Sequence, residues 1–112
     1  MIIVSRFLTR MFSLGFAKGM VVFPFILLAE RRYRHDPVLL NHERIHYRQA
    51  VELLVVGFYL LYLAEFLVRW VQYGNRRRAY YEISFEREAY RHEGDLHYLA
   101  KRKPWAFRAY WR

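Results

Sequence analysis

The chain has no cysteine in its 112 residues. That excludes a disulfide framework and a thiolate metal site, so any metal must be held by histidine and carboxylate. The absence also fits a reducing compartment, either the cytoplasm or the cytoplasmic face of a membrane. Acidic residues are few as well: ten Asp and Glu against nineteen Lys and Arg, for a formal charge of +9. Long hydrophobic runs are missing. The longest uncharged stretches, Gly19–Ala29 and Leu53–Ala64, hold eleven and twelve residues, short of the about 20 that span a bilayer. Tolerating charges lengthens them to Met11–Ala29, with Lys18 inside, and Val51–Val71, with Glu52, Glu65 and Arg69, and neither is a clean span. A secretory signal is not expected, because no small-residue cleavage site follows the basic start Met1–Arg10. No repeat or low-complexity segment is present. The length suits one domain, 1–112, with no room for a separate regulatory module.

Aromatic residues, in contrast, are abundant: ten Tyr, nine Phe and three Trp. A basic and aromatic chain suits nucleic acid or the anionic face of a membrane. Residues 101–112, from Lys101-Arg102-Lys103 to Tyr110-Trp111-Arg112, alternate cations with aromatics and read as a basic aromatic tail. With the uncharged stretch Leu53–Ala64 beside it in the balance, a membrane surface is the favoured partner and nucleic acid the less favoured one.

The most informative segment is Asn41-His42-Glu43-Arg44-Ile45-His46. It contains His-Glu-x-x-His, which five histidines and eight glutamates scattered at random in 112 residues produce in about 1–2 per cent of chains. On a helix, residues four apart share a face, so His42 and His46 can aim a ring nitrogen at one zinc ion. Glu43 lies beside the first ligand, placed to take a proton from a metal-activated water without being a ligand itself. Asp36-Pro37 upstream is a good helix start, a capping side chain followed by a proline at the first helical position. Val38, Leu39, His42, Ile45, His46 and Gln49 then recur at helical spacing, which turns the histidine pair inward.

Around this helix the sequence predicts an α+β fold, mostly helical, with a short edge strand or hairpin beside the active-site helix and the third-ligand helix. Ile2–Leu14 is ambiguous, and Gly15 and Gly19 bracket a turn. Met20–Leu28 is β-branched and aromatic but broken by Pro24, which suits an edge strand. Glu30–Asp36 is polar and leads into the motif helix. Beyond Gln49 the pattern is apolar on all sides up to Ala64, which implies burial, lipid or a partner. Tyr73-Gly74-Asn75-Arg76-Arg77-Arg78 reads as a helix end. Ser84 is a candidate cap for a last helix reaching about Lys103, ahead of Pro104.

A catalytic zinc needs a third protein ligand. The candidates are His92, His97, Glu86 and Glu88, and on the residues alone the two glutamates read equally as acidic residues favoured by a helix N-terminus. The sequence resembles the gluzincin metallopeptidases, and more narrowly the membrane metallopeptidases of the antibiotic-sensor (BlaR/MecR) and prenyl-protein-protease types. In these a later Glu-x-Glu-Ala-Asp-like segment completes the site, and Glu86-Arg87-Glu88-Ala89-Tyr90 matches it. The likeness covers roughly residues 15–95, and only its two short motifs are specific. It implies Glu86 as third ligand, Zn2+ as cofactor, Glu43 as general base and a peptide or protein as substrate. Ala89, three residues after Glu86, is small enough to let this helix approach the histidines closely. Tyr90 departs from the pattern, standing where the family has an aspartate behind the zinc histidines. Those histidines must then find another acceptor, such as Glu30, Asp36, Glu82 or a backbone carbonyl. The full-length family members carry additional membrane helices that this sequence lacks. The competing expectation is a non-catalytic, membrane-associated or nucleic-acid-binding protein with a structural or vestigial metal site. His92 and His97 are read as surface or stacking histidines, and Tyr80 and Tyr81 as candidate oxyanion donors.

Zinc geometry adds a constraint. If Pro37–Tyr73 were one straight helix, Tyr73 would stand about 40 Å beyond His46. The eight residues Gly74–Tyr81 reach back only about 26 Å when fully extended. The helix must therefore break, and a turn or kink is expected within a few residues of Gly57, its only internal glycine, with Tyr59–Tyr73 packing back along the motif helix.

Overall fold

Helix formation at the motif follows the local chemistry. Asp36 accepts a hydrogen bond from the Leu39 amide at 3.1 Å, Pro37 occupies the first turn, and helix α2 runs Pro37–Glu52. In the computed structural model, which describes residues 2–13 and 18–111 (the side chains of residues 10–13 excepted), α2 is the central element. Strand β1 (Ile2–Val4), helix α1 (Arg6–Ser13), strands β2 (Gly19–Val22) and β3 (Phe25–Leu28) and a 3-10 turn (Arg31–His35) precede it. Helices α3 (Val56–Tyr73), α4 (Arg76–Glu82), α5 (Ser84–His92) and α6 (Tyr98–Lys101) follow, with a second 3-10 turn at Ala106–Tyr110. The chain is thus mostly helical, with one small sheet, as the sequence predicts. Gly15 and the last residue of the Ile2–Leu14 segment lie outside the described residues.

Pro24 does not interrupt one strand but turns between two. Val22 pairs with Phe25 and Gly19 with Leu28 in an antiparallel hairpin, so Phe23-Pro24 is a two-residue loop where proline needs no ladder partner. β1 joins β3 in parallel from the other side, which leaves β2 on the edge in the order β1-β3-β2. The sheet buries Val21, Ile26 and Leu28 against Leu39, Leu40 and Tyr47 of α2. A second apolar cluster, Ala50, Phe58, Ile83, Phe85 and Phe107, fills the space between α2, α3, α5 and the end of the chain. Phe107 and Arg102 are therefore interior residues, and they anchor the segment read as a basic aromatic tail, whose Lys101, Lys103, Trp105, Arg108 and Trp111 stay exposed.

The expected break in the long helix is present, but Gly57 does not make it. α2 and α3 meet at a bend of 112° across Leu53–Val55, and Gly57 lies inside α3. α2 ends in a Schellman arrangement, with the Leu54 amide on the Val51 carbonyl and the Val55 amide on the Ala50 carbonyl at 2.7 Å. Leu54 takes the left-handed position, φ 58°, that glycine usually fills. Val55 follows at φ 65° and ψ −62°, with the Val56 amide on the Leu54 carbonyl at 2.7 Å, which is a γ-turn of the rarer, strained hand. Periodicity cannot reveal a break carried by two apolar residues. The far end of α3 is legible in contrast: Gly74 closes it at φ 65° and Asn75 caps α4 through the Arg78 amide.

The last helix also differs from expectation. Ser84 does not cap α5; it donates its amide and hydroxyl to Glu65 of α3, a buried carboxylate that serves as the cap from outside. Nor does α5 run to Lys103. It stops at His92, where Asn41 donates to the carbonyls of His92, Glu93 and Asp95 at 2.9–3.3 Å and holds the chain in a turn.

Leu54 is 85 % exposed, so replacing it sacrifices little burial. Leu54→Gly relieves the left-handed strain and is expected to raise stability by about 0.5–1 kcal/mol. A urea unfolding midpoint measures it, and a lower midpoint would contradict the left-handed assignment.

Candidate metal centre

His42 and His46 lie one turn apart on the buried side of α2, and Glu86 lies in the first turn of α5. Ala89, fully buried and packed on Ile45, lets the two helices come together. The Nε2 atoms of His42 and His46 are 3.2 Å apart and stand 3.1 and 2.9 Å from Glu86 Oε1. These three donor atoms form a nearly equilateral triangle. Tetrahedral zinc with ligands at 2.0–2.1 Å separates them by about 3.3 Å. The donor set and its spacing therefore fit a small cation after an outward shift of a few tenths of an ångström, and the buried group can hold a metal ion. Of the sequence candidates, His42, His46 and Glu86 converge. Glu88, His92 and His97 are not part of the group.

The surroundings hold each ligand in place. Gln49 fixes His46. Its Nε2 donates to the Phe85 carbonyl at 3.2 Å and to Glu88 Oε1 at 2.9 Å, both pure acceptors, so its Oε1 must face His46 Nδ1, 2.8 Å away. His46 therefore carries its proton on Nδ1 and presents the Nε2 lone pair to the centre. Tyr62 of α3 donates to Glu86 Oε2, leaving Oε1 for the histidines. The Tyr90 ring packs edge-on against His42 with centroids 4.4 Å apart, and the Tyr90 hydroxyl meets that of Tyr80 at 3.1 Å. The Glu93 carboxylate lies 3.6 Å from His42 Nδ1, too far for a hydrogen bond. None of the acceptors expected behind the histidines serves. Glu30 pairs with Arg6 and Arg32, Asp36 caps α2, and neither Glu82 nor a backbone carbonyl bonds either ring. Tyr81 is exposed, and its ring meets only the rings of Tyr80 and Tyr90 among the described contacts. His92 stacks on Tyr98 at 3.9 Å, the role expected for it.

Electrostatics follow from this burial. Desolvation alone would raise the Glu86 carboxyl, but His46 and His42 hold it well below the usual range. Burial opposes charge on His42, yet its contacts with Glu86 and Glu93 push it up to about 10. Without a cation the three groups share protons, so a metal must displace them and its binding releases protons. Glu43 behaves differently. Burial raises its carboxyl despite the nearby histidines, and its Oε2 has no hydrogen-bond partner in the protein. A buried acceptor of this kind requires a water or a substrate donor.

Glu88, a candidate third ligand in the sequence or else an acidic residue favoured by a helix start, does not face the centre. It is instead the middle of a buried network: Arg102 donates to it through Nε and Nη2, and Tyr98 donates at 2.7 Å. Helical spacing put Gln49 on the histidine face without giving it a role, and sequence offered no signal for Tyr62 or Arg102, whose partners Glu86 and Glu88 lie 24 and 14 residues away.

The two glutamates should separate by experiment. Glu86→Gln is expected to lose metal in an equilibrium dialysis assay while melting like the wild type. Glu88→Ala strands the Arg102 charge and is expected to cost about 3–5 kcal/mol of stability. Gln49→Leu, which frees His46, should weaken metal affinity about 10–100-fold by chelator competition. No protein-family model, curated protein or solved structure matches this chain, so the reading of the centre rests on its own geometry.

Proposed function

We propose that the protein is a zinc-dependent metallopeptidase of minimal size, similar in its site to the gluzincins. The observation that carries this reading is the convergence of His42, His46 and Glu86 beside a buried Glu43 whose Oε2 has no protein partner. Zinc is the cation best suited to two imidazoles and one carboxylate with a position left over. When bound it supplies Lewis acidity, polarising a peptide carbonyl and lowering the pKa of an attacking water.

The chain's own residues do the rest. Glu43, buried beside the two histidines and with an Oε2 that no protein group bonds, would accept the proton of the attacking water and pass it to the leaving amine. Gln49 and Tyr62 orient His46 and Glu86. The edge strand β2 passes close by: a Cβ built on Gly19 would lie 3.5 Å from Glu43 Cγ and only 3.0 Å from Leu28. Gly19 thus suits its place against Leu28 of β3, and β2 passes within van der Waals reach of Glu43 on the motif helix. An extended peptide held along the Gly19 end of this edge, clear of the Tyr59 hydroxyl on the Val21 carbonyl, binds through its backbone, which gives affinity with little side-chain selection.

One observation favours the competing reading, a structural metal site in a non-catalytic basic protein. His42, His46, Glu86 and Glu43 are only 3, 5, 3 and 2 % exposed, and structural zinc sites are closed. Glu43→Gln separates the two. Under the peptidase reading it keeps metal binding and lowers kcat by about 10²–10⁴-fold on a peptide library, and chelator removes the wild-type activity. Equal, chelator-insensitive cleavage by both proteins would end the peptidase reading.

A further inference from the structure

We propose that the outer face of α3 is a docking surface for anionic lipid, lying in the plane of a membrane interface rather than crossing it. α3 is two-sided. Phe58, Tyr59, Tyr62 and Glu65 turn inward, while Val56, Leu60, Leu63, Leu67, Val68 and Val71 remain 47–86 % exposed. Its two charged residues are off this face: Glu65 is buried against Ser84, and Arg69 donates to the Trp111 carbonyl at 2.6 Å. At 100° per residue the six apolar positions sweep roughly 140°, an amphipathic face much broader than the narrow seam by which two helices pair. No single helix among the described residues is long and apolar enough to cross a membrane, and the bent pair α2–α3, which is long enough together, carries the buried polar group of His42, Glu43, His46 and Gln49 on its first arm, so this face lies flat or finds another cover.

Charge decides between covers. At the C-terminal end of the face, the exposed residues Arg76, Arg77 and Arg78 begin α4, and Trp70 lies at its rim with 41 % exposure. Cations beside an apolar face, with tryptophan at the boundary, match a lipid interface: acyl chains below, anionic headgroups level with the arginines. Leu54, 85 % exposed at the corner between α2 and α3, continues the apolar surface at the other end. A second copy of the chain would offer the same face but bring another +9 of charge, which disfavours close self-association and favours an anionic partner. This inference does not rest on the metal centre.

The test is flotation of the full chain with vesicles of equimolar phosphatidylglycerol and phosphatidylcholine, and with phosphatidylcholine alone. Wild type is expected to float with the anionic vesicles, to stay behind with the neutral ones, and to be released as ionic strength screens the charges. Leu60→Glu/Leu63→Glu/Leu67→Glu should lower partitioning by more than about tenfold, with Val71→Glu as a milder variant, and both should melt with the wild type because the sites are exposed. Variants that float like the wild type, or a wild type that ignores both vesicles, would overturn the proposal. A wild-type dimer in sedimentation equilibrium that the same substitutions dissociate, without flotation, would assign the face to a second copy instead.

Discussion

Arg102 has no exposed side-chain surface, and its guanidinium is divided between Glu88 of α5 and Glu52 at the last turn of α2. A cation so buried is tolerated only if every partner is in place, and the partners here belong to the two helices that carry the candidate ligands His42, His46 and Glu86. From Glu88 the chain of hydrogen bonds continues to Gln49 and from Gln49 to His46. The orientation of one imidazole is thus tied to a charge pair more than a helical turn away. Such a network trades stability that apolar packing would supply more simply for a fixed geometry. The geometry it fixes is the approach of α2 to α5.

α3 is the other frame for the centre. Three inward side chains, at spacings of three residues, tie the helix to the hairpin and, at two points, to α5. Tyr59 bridges the Val21 carbonyl and the Phe23 amide, Tyr62 holds Glu86, and Glu65 caps the start of α5. The same helix keeps an apolar outer face. Its composition, nearly all hydrophobic, conceals this division of labour, because tyrosine counts as apolar in any periodicity and only its hydroxyl marks the inner side.

What could be read from sequence was whatever the chain decides within one or two turns. The Asp36-Pro37 start, the inward His42–His46 pair and the Gly74-Asn75 boundary belong there, whereas Glu86 was singled out by the resemblance of its segment to the gluzincin pattern. What could not be read depends on residues far apart. Ser84 looks like a cap until Glu65, nineteen positions earlier, takes its amide and hydroxyl. α5 looks more than five turns long, at about 3.6 residues per turn, until Asn41, more than fifty positions earlier, takes the carbonyls that end it. The zinc argument required a bend within a few residues of Gly57 and one is there, but the residues that make it, Leu54 and Val55, could not be read, since neither type advertises a positive φ.

The Tyr59 bridge has one more consequence. A strand on the rim of a sheet presents unpaired backbone groups that invite further strands, and proteins with open rims are prone to assemble without limit. β2 is only four residues long, and a single phenol already satisfies a carbonyl and an amide at its turn end. That stretch cannot recruit a full-length neighbour while α3 stays in place. The helix therefore also acts as a stopper against runaway strand addition, and a mutation that loosens α3 would expose the protein to aggregation through its hairpin.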